Sequence, residues 1–297
     1  GCQPRRSIAS FSSENSFVDN RTSLPRRRIY SPHRRAVAGG IYELNAAWIL
    51  AHREVMRFIR QPTRLFGSLA QPLMFWFFMG SGFAGSFSDG LSEQDYAEFF
   101  YPGIVLMLLL FAAIFSTITL IEDRNAGFLQ GVLVAPVSRL SVALGKLAGG
   151  TLIALFQSGI FLFLAPLAGI DIDLTMILLL IGICALIGMG FTGMGFIVAW
   201  KLDSTAGYHA VMSVVMLPMW LLSGALFPVE GAASWLEWVM FFNPVTYAMV
   251  ILRQAFYLTP SQLLADAEFV RALIVSAGWT VLMVAGSAWM VARSRGA

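Results

Sequence analysis

The chain has 297 residues, of which 57% are hydrophobic and 12% charged, with a mean hydropathy of +0.71. Soluble domains are roughly 45–50% apolar and about 25% charged, so this composition excludes an ordinary soluble domain and predicts an all-α integral membrane protein. A net charge of +3 and a pI near 9.1 could suit a nucleic-acid binder, but the basic residues sort by segment, and no nucleic-acid partner is expected.

Residues 1–40 are rich in Arg and Ser and contain Pro4, Pro25 and Pro32. With no apolar periodicity, they read as a disordered cytoplasmic tail in reach of anionic lipid. An Arg- and Ser-rich transit peptide is the alternative. Residues 41–297 read as one membrane domain. At its start Ile41, Leu44, Trp48, Ala51, Val55 and Phe58 step by three and four, which places them on one helical stripe. Arg53, Glu54, Arg57 and Arg60, with His52, cover the remaining surface. A basic amphipathic helix carrying a Trp predicts an interfacial helix against membrane lipid, ended by Pro62.

Six stretches of 20 residues or more lack Asp, Glu, Lys and Arg: 65–88, 99–121, 147–170, 174–200, 204–229 and 272–292. About 20 helical residues cross a hydrocarbon core of about 30 Å, so six transmembrane helices are expected. Pro72 and Pro218 should kink the first and fifth. Gly145, Gly149 and Gly150 in the third, and Gly188, Gly190, Gly193 and Gly195 in the fourth, predict close helix packing. With the N-terminus inside, all but Arg253 and Arg271 of the 20 basic residues fall on the inner side. Basic loops stay cytoplasmic, so a multi-pass protein of the cell's inner (plasma) membrane with both termini cytoplasmic is expected.

Between the second and third stretches lies Glu122-Asp-Arg-Asn-Ala-Gly-Phe-Leu-Gln-Gly-Val-Leu-Val-Ala-Pro-Val-Ser-Arg139. Charges cluster at its start, apolar positions follow, and Pro136 breaks the helix. A short amphipathic helix between two spans has little use unless something outside the membrane grips it. It is therefore read as a cytoplasmic docking helix for a soluble motor. Glu122, Asp123, Arg124 and Gly127 are expected to position it, and Phe128, Leu129 and Leu133 to supply the gripped face.

Beyond the fifth stretch, Ser234 and Glu237 fit a capping box. Trp238–Phe242 is stopped by Asn243-Pro244, where Asn243 can cap a new helix with Pro244 at its first position. The charge-free run 238–252 is too short to span alone. Two half-helices forming a broken re-entrant segment at the outer side is the first reading, and a single tilted span the second.

The only Gly-Lys pair, Gly145-Lys146, lacks the remainder of a phosphate-binding loop. His33, His52 and His209 are far apart, so no metal site is expected, and no catalytic arrangement is readable. Nor do the spans hold the ionisable residues an ion-coupled transporter needs. Cys2 and Cys184 supply no disulfide framework. Energy for any transport must come from elsewhere.

These residues resemble a known family. Segment 122–139, followed by Leu144-Gly-Lys146, is similar to the docking region of ABC transporter type-2 permeases. Leu222-Ser-Gly-Ala-Leu-Phe-Pro-Val229, with Phe242-Asn-Pro-Val-Thr-Tyr247 and Arg253, resembles that family's motif near the end of the fifth span; Gly224, Pro228, Asn243, Pro244, Tyr247 and Arg253 are its candidate gate residues. Arg53–Arg60 resembles the interfacial helix. The resemblance implies a half-transporter that pairs with a second permease copy, identical or paralogous. It also implies a separate cytoplasmic ATP-binding subunit that carries ATP and Mg, while this chain holds no cofactor and is not itself an enzyme. The implied activity is outward movement of an amphipathic or hydrophobic drug, lipid or glycan. A non-transporting scaffold that recruits a cytoplasmic partner is the alternative.

Overall fold

The computed structural model describes residues 32–83, 93–135, 137–170, 173–226 and 233–293. The chain divides into two units, 1–38 and 39–297, and the packing discussed below lies in the second. The described elements are helical: α1 Pro32–Ile59, α2 Pro62–Phe83, α3 Glu93–Ser116, α4 Ile118–Asn125, α5 Phe128–Val134, α6 Arg139–Phe163, a 3-10 turn Ala165–Ala168, α7 Leu174–Lys201, α8 Thr205–Trp220, a π-helical turn Leu221–Ala225, α9 Ser234–Phe242, α10 Pro244–Tyr257, α11 Pro260–Ala265 and α12 Ala267–Arg293. Helix α1 therefore starts upstream of the expected tail boundary at residue 40. Pro136 and Pro228 lie outside the described residues.

Helix α3 is apolar all round and sits at the centre, as such a helix must. Phe100 to Leu110 are buried almost without exception. Helices α2, α6, α7 and α10 pack around it. Two peripheral helices show the opposite pattern. In α8 only Tyr208, Met212, Met216 and Trp220 are buried, one residue per turn, while Val211, Val214 and Leu217 are exposed. Helix α12 buries a stripe through Phe269, Ala272, Ser276, Thr280 and Ser287 against α7. A side chain that faces outward and is still apolar suits lipid rather than water.

Among the described residues, five helices are long and apolar enough to cross a membrane: 99–125, where α3 runs into α4, then α6, α7, 205–225 and α12. The α9–α10 pair, bent by 85°, makes a sixth if it forms one span. The chain is a multi-pass, all-α membrane protein. Helix α2, expected as the first span, is not among the five. Its 22 residues reach about 33 Å, but Gln71 and Pro72 dilute its apolar run. Its aromatic cluster divides. Phe75 packs edge-on against Trp220 at 5.5 Å and Trp76 against Tyr101 at 5.7 Å, whereas Phe77 and Phe78 are exposed.

The glycines act as close-packing positions. A Cβ on Gly193 would lie 2.9 Å from that of Met283, and one on Gly190 would lie 2.6 Å from Thr280 Oγ1. Only a hydrogen fits at either site, so α7 and α12 nearly touch backbones. Thr280 Oγ1 then donates to the Leu186 carbonyl at 3.0 Å and Ser287 Oγ to that of Gly193 at 3.1 Å. Gly145 and Gly149 do the same for α1, whose Ala47 carbonyl and Glu54 Cβ would lie 2.7 and 2.8 Å from the added carbons. Gly188, by contrast, has ordinary clearance.

Candidate functional site

The end of α1, the helix α4 and the start of α6 meet through charge. Lys146, eight residues after the Ser138 cap that turns the chain into α6, is almost fully buried. Its ammonium donates to Glu54 Oε1 at 2.6 Å and to Asp123 Oδ2. Arg53 closes on Asp123 with both terminal nitrogens at 3.0 Å. Arg57 reaches Asp123 at 3.1 Å and Glu122 at 2.6 Å. Three cations face three carboxylates, with Asp123 at the centre. Hydrogen bonding to Asp123 raises the pKa of Arg53 further above its ordinary value. Burying these groups singly would be costly, and only their mutual pairing offsets the loss of water.

This arrangement corrects the face assignment of α1. Glu54 is buried and Arg53 and Arg57 are half-buried, while Leu44 and Trp48 of the expected stripe are exposed. Ala51 and Phe58 from the same stripe are buried. The face is set by what α6 offers. Gly145 and Gly149 admit Ala47 and Ala51 at close range, and Glu54, one turn on, meets Lys146. Arg60 alone of the four charged residues is exposed, and it makes no ion pair among the described residues.

Gly127 turns the chain between α4 and α5 at φ +73°, a conformation that residues with a Cβ rarely adopt. Arg124 secures the turn by donating to the carbonyls of Trp200 at 2.9 Å and Leu202, and by pairing with Asp203 at 3.1 Å. Helix α5 then lies with Phe128 under the Arg53 guanidinium, 3.8 Å from its ring centre. Leu129 is buried, and Phe128, Val132 and Leu133 are half-buried against the chain's own core. Thus Leu129 does not present its side chain at the surface, and Leu133 does so only in part. Periodicity marks an apolar face without saying which body covers it. The outward face is Gln130, Gly131 and Val134, with Val134 88% exposed.

Two anchors escaped the sequence reading. Glu43 accepts from the Ser138 amide at 3.0 and 3.1 Å and from the Ser141 hydroxyl, tying α1 to the start of α6. Lys146 was visible only as part of a motif. A lone cation opening a long charge-free run is the signal that would have found Lys146, because such a charge must have a partner.

At the opposite end of α8 the chain folds around a second centre. Within the π-helical turn, Leu222 (ψ +21°) and Gly224 (φ +84°) leave helical geometry. Carbonyls there lose their normal donors. Asn243 replaces them: its amide nitrogen donates to Met219 at 2.6 Å and Leu222 at 3.2 Å. Its Oδ1 meanwhile accepts from the Val245 amide at 3.0 Å and caps α10, with Pro244 at the first position. Tyr247 Oη bonds the Phe241 carbonyl at 2.8 Å across the bend. Ser234 is already the first helical residue, preceded by Ala233 with no side-chain cap, so the capping box expected with Glu237 is absent. Arg253 turns inward to the Gly224 carbonyl at 2.8 Å and lies 4.4 Å over Phe99, instead of reaching outward. His209 is exposed, with its ring 4.8 Å from that of Phe115.

The motif residues Gly224, Asn243, Tyr247 and Arg253 thus surround one turn, and Glu122, Asp123, Arg124 and Gly127 one joint. Residues 45–257 match the family model described as ABC-2 type transporter. The chain belongs to that family. Similar proteins include one named as the transport permease ycf38 of Cyanophora paradoxa, 30% identical over 69% of this chain and 72% of that one. Nodulation protein J of Neorhizobium galegae is 27% identical over 74% and 83%. YbhR of Escherichia coli, named as a multidrug ABC transporter permease, is 25% identical over 54% of this chain and 44% of its own length. As an ABC-2 chain, the protein is the membrane subunit of a transporter and not an enzyme by itself.

Proposed function

We propose that the chain is the permease of an ATP-driven exporter that moves an amphipathic or hydrophobic molecule outward. It works with a second permease copy and with cytoplasmic ATP-binding subunits that hold ATP and Mg. In this reading the charged joint lies on the cytoplasmic side of the plasma membrane, the termini lie on that side too, and the bent α9–α10 segment forms the outer gate. The observation that carries the reading is the construction of α5. The helix is braced from behind by α1 and α4, yet its Gln130–Gly131–Val134 face is left open. A force applied there passes directly into Arg53, Asp123 and Lys146, and so into α1, α3 and α6. Membership in the ABC-2 family and the name of YbhR support the ATP-binding partner and the substrate class.

Val134→Asp tests it. In a complex reconstituted with its ATP-binding subunit, this change should lower co-purification at least tenfold while the permease keeps its helical content. Undiminished co-purification would place docking elsewhere. Binding of the subunit without stimulated ATP hydrolysis or transport would favour the scaffold reading.

A further inference from the structure

A cleft of about 680 Å³ runs between α2, α3, α6 and α8, within the range of small-molecule sites. Its chemistry is graded. At the end nearest the charged joint its wall includes Arg64, Glu122, Ser116 and His209; farther along it becomes Met107, Leu108, Ile153 and Leu217. Glu122 is already paired with Arg57. Arg64 has no carboxylate within ion-pair distance among the described residues, and its one hydrogen bond there goes to the Phe115 carbonyl at 3.0 Å. A guanidinium holding one carbonyl keeps most of its five donors free.

Deeper in the cleft sits Gln157. It is 2% exposed, and its Oε1 has no hydrogen-bond partner among the described residues. Gln157 lies seven residues beyond Gly150, the position that faces Ser116, or about 10 Å farther along α6. A buried amide oxygen without a donor is destabilising, and Gln157 lines the same cleft as Arg64. Among the described residues the cleft therefore offers a cation without an ion-pair partner, an apolar passage and an acceptor without a donor, in that order.

We infer that this cleft binds an anionic amphiphile, with its phosphate or carboxylate on Arg64, its chain along Met107, Ile153 and Leu217, and a donor group of the ligand on Gln157 Oε1. This deepens the exporter reading by naming the substrate class, and it rests on that reading only for the claim that the occupant is cargo. Binding itself needs no ATP-binding subunit.

The test uses the full chain in nanodiscs of phosphatidylcholine, titrated with hexadecyl phosphate, hexadecanoate, 10-hydroxyhexadecanoate and hexadecanol. Wild type should bind all three anions saturably and hexadecanol at least tenfold more weakly. Arg64→Gln should lose that discrimination and Arg64→Lys should keep most of it, which separates charge from the fold support given to Phe115. Gln157→Leu should erase any preference for the hydroxylated acid over hexadecanoate, leaving binding of hexadecyl phosphate unchanged. Arg271→Gln, a cation outside the cleft, should change nothing. Equal affinity for hexadecanol and hexadecyl phosphate in wild type, or unchanged anion binding in Arg64→Gln, overturns the site. If phosphatidylglycerol nanodiscs compete fully with hexadecyl phosphate, the occupant is resident lipid and not cargo, which overturns the assignment to substrate. If the site behaves as expected but no ATP-binding subunit stimulates release, the exporter reading fails and the site stands.

Discussion

The two ends of the helix bundle are held by different physics. At the joint of α1, α4 and α6, six charged side chains neutralise one another around Asp123. At the turn joining α8 to α10, neutral donors from Asn243, Tyr247 and Trp220 satisfy backbone carbonyls, and Arg253 donates to the Gly224 carbonyl. The first construction is stiff because removing one charge exposes the others. The second tolerates a local loss, since each hydrogen bond has a net value of only about 0.5–1.5 kcal/mol. A joint that must transmit force without slipping suits the first kind. A bend that opens and closes suits the second.

The largest test of this contrast is Lys146→Met. It removes the cation shared by Glu54 and Asp123 and leaves both carboxylates buried, at a cost of about 3–5 kcal/mol, read as a lowered thermal midpoint of the purified chain. The double change Lys146→Met with Glu54→Gln restores a balance of two cations and two anions. It should recover most of the loss, and the double-mutant cycle measures the coupling. Additive losses would mean that the joint is held by packing and not by charge. Asn243→Ala should cost less, about 1–3 kcal/mol for stranding the Met219 and Leu222 carbonyls. Pro244→Ala should cost less again and leave the 85° bend in place, because Asn243 and Tyr247 fix it independently. A spin-label distance between α9 and α10 that lengthens in Pro244→Ala would return control of the bend to proline.

The sequence made the centre of both regions legible for a simple reason. Residues such as Gly127, Gly224, Asn243 and Pro244 act locally, through backbone geometry and capping, and local effects leave local patterns. Span positions were readable too, because lipid demands long uncharged helices. What could not be read was the side of a helix that meets the rest of the chain. Arg53, Glu54 and Arg57 look like a solvated face until Lys146, some 90 positions away, is brought beside them. Leu129 likewise belongs to an apolar face whichever body covers it. Helix α2 was placed as a span from its lack of charge, although Gln71 and Pro72 weaken that signal without adding any charge.

The smallest expected effect lies at the rim of the charged joint and gives it a pH signature. Hydrogen bonds from Ser138 and Ser141 hold the Glu43 carboxyl below its ordinary value of 4.5. A carboxylate whose pKa is lowered on folding stabilises the folded state above its unfolded value. It loses that contribution as the pH falls below about 4.5 through the lowered one. The tie from α1 to the start of α6 should therefore loosen only in acid. Glu43→Gln removes the titrating group but keeps an oxygen that can accept from the Ser138 amide, so it should fall slightly below wild type at neutral pH. The gap between the two thermal midpoints should close as the pH is lowered through that window, because the other carboxylates titrate alike in both chains. A constant gap across the range would mean that Glu43 acts by shape alone. A gap that widens in acid would mean that its carboxyl is bound in the protonated form, and the rim would then no longer belong with the charged joint.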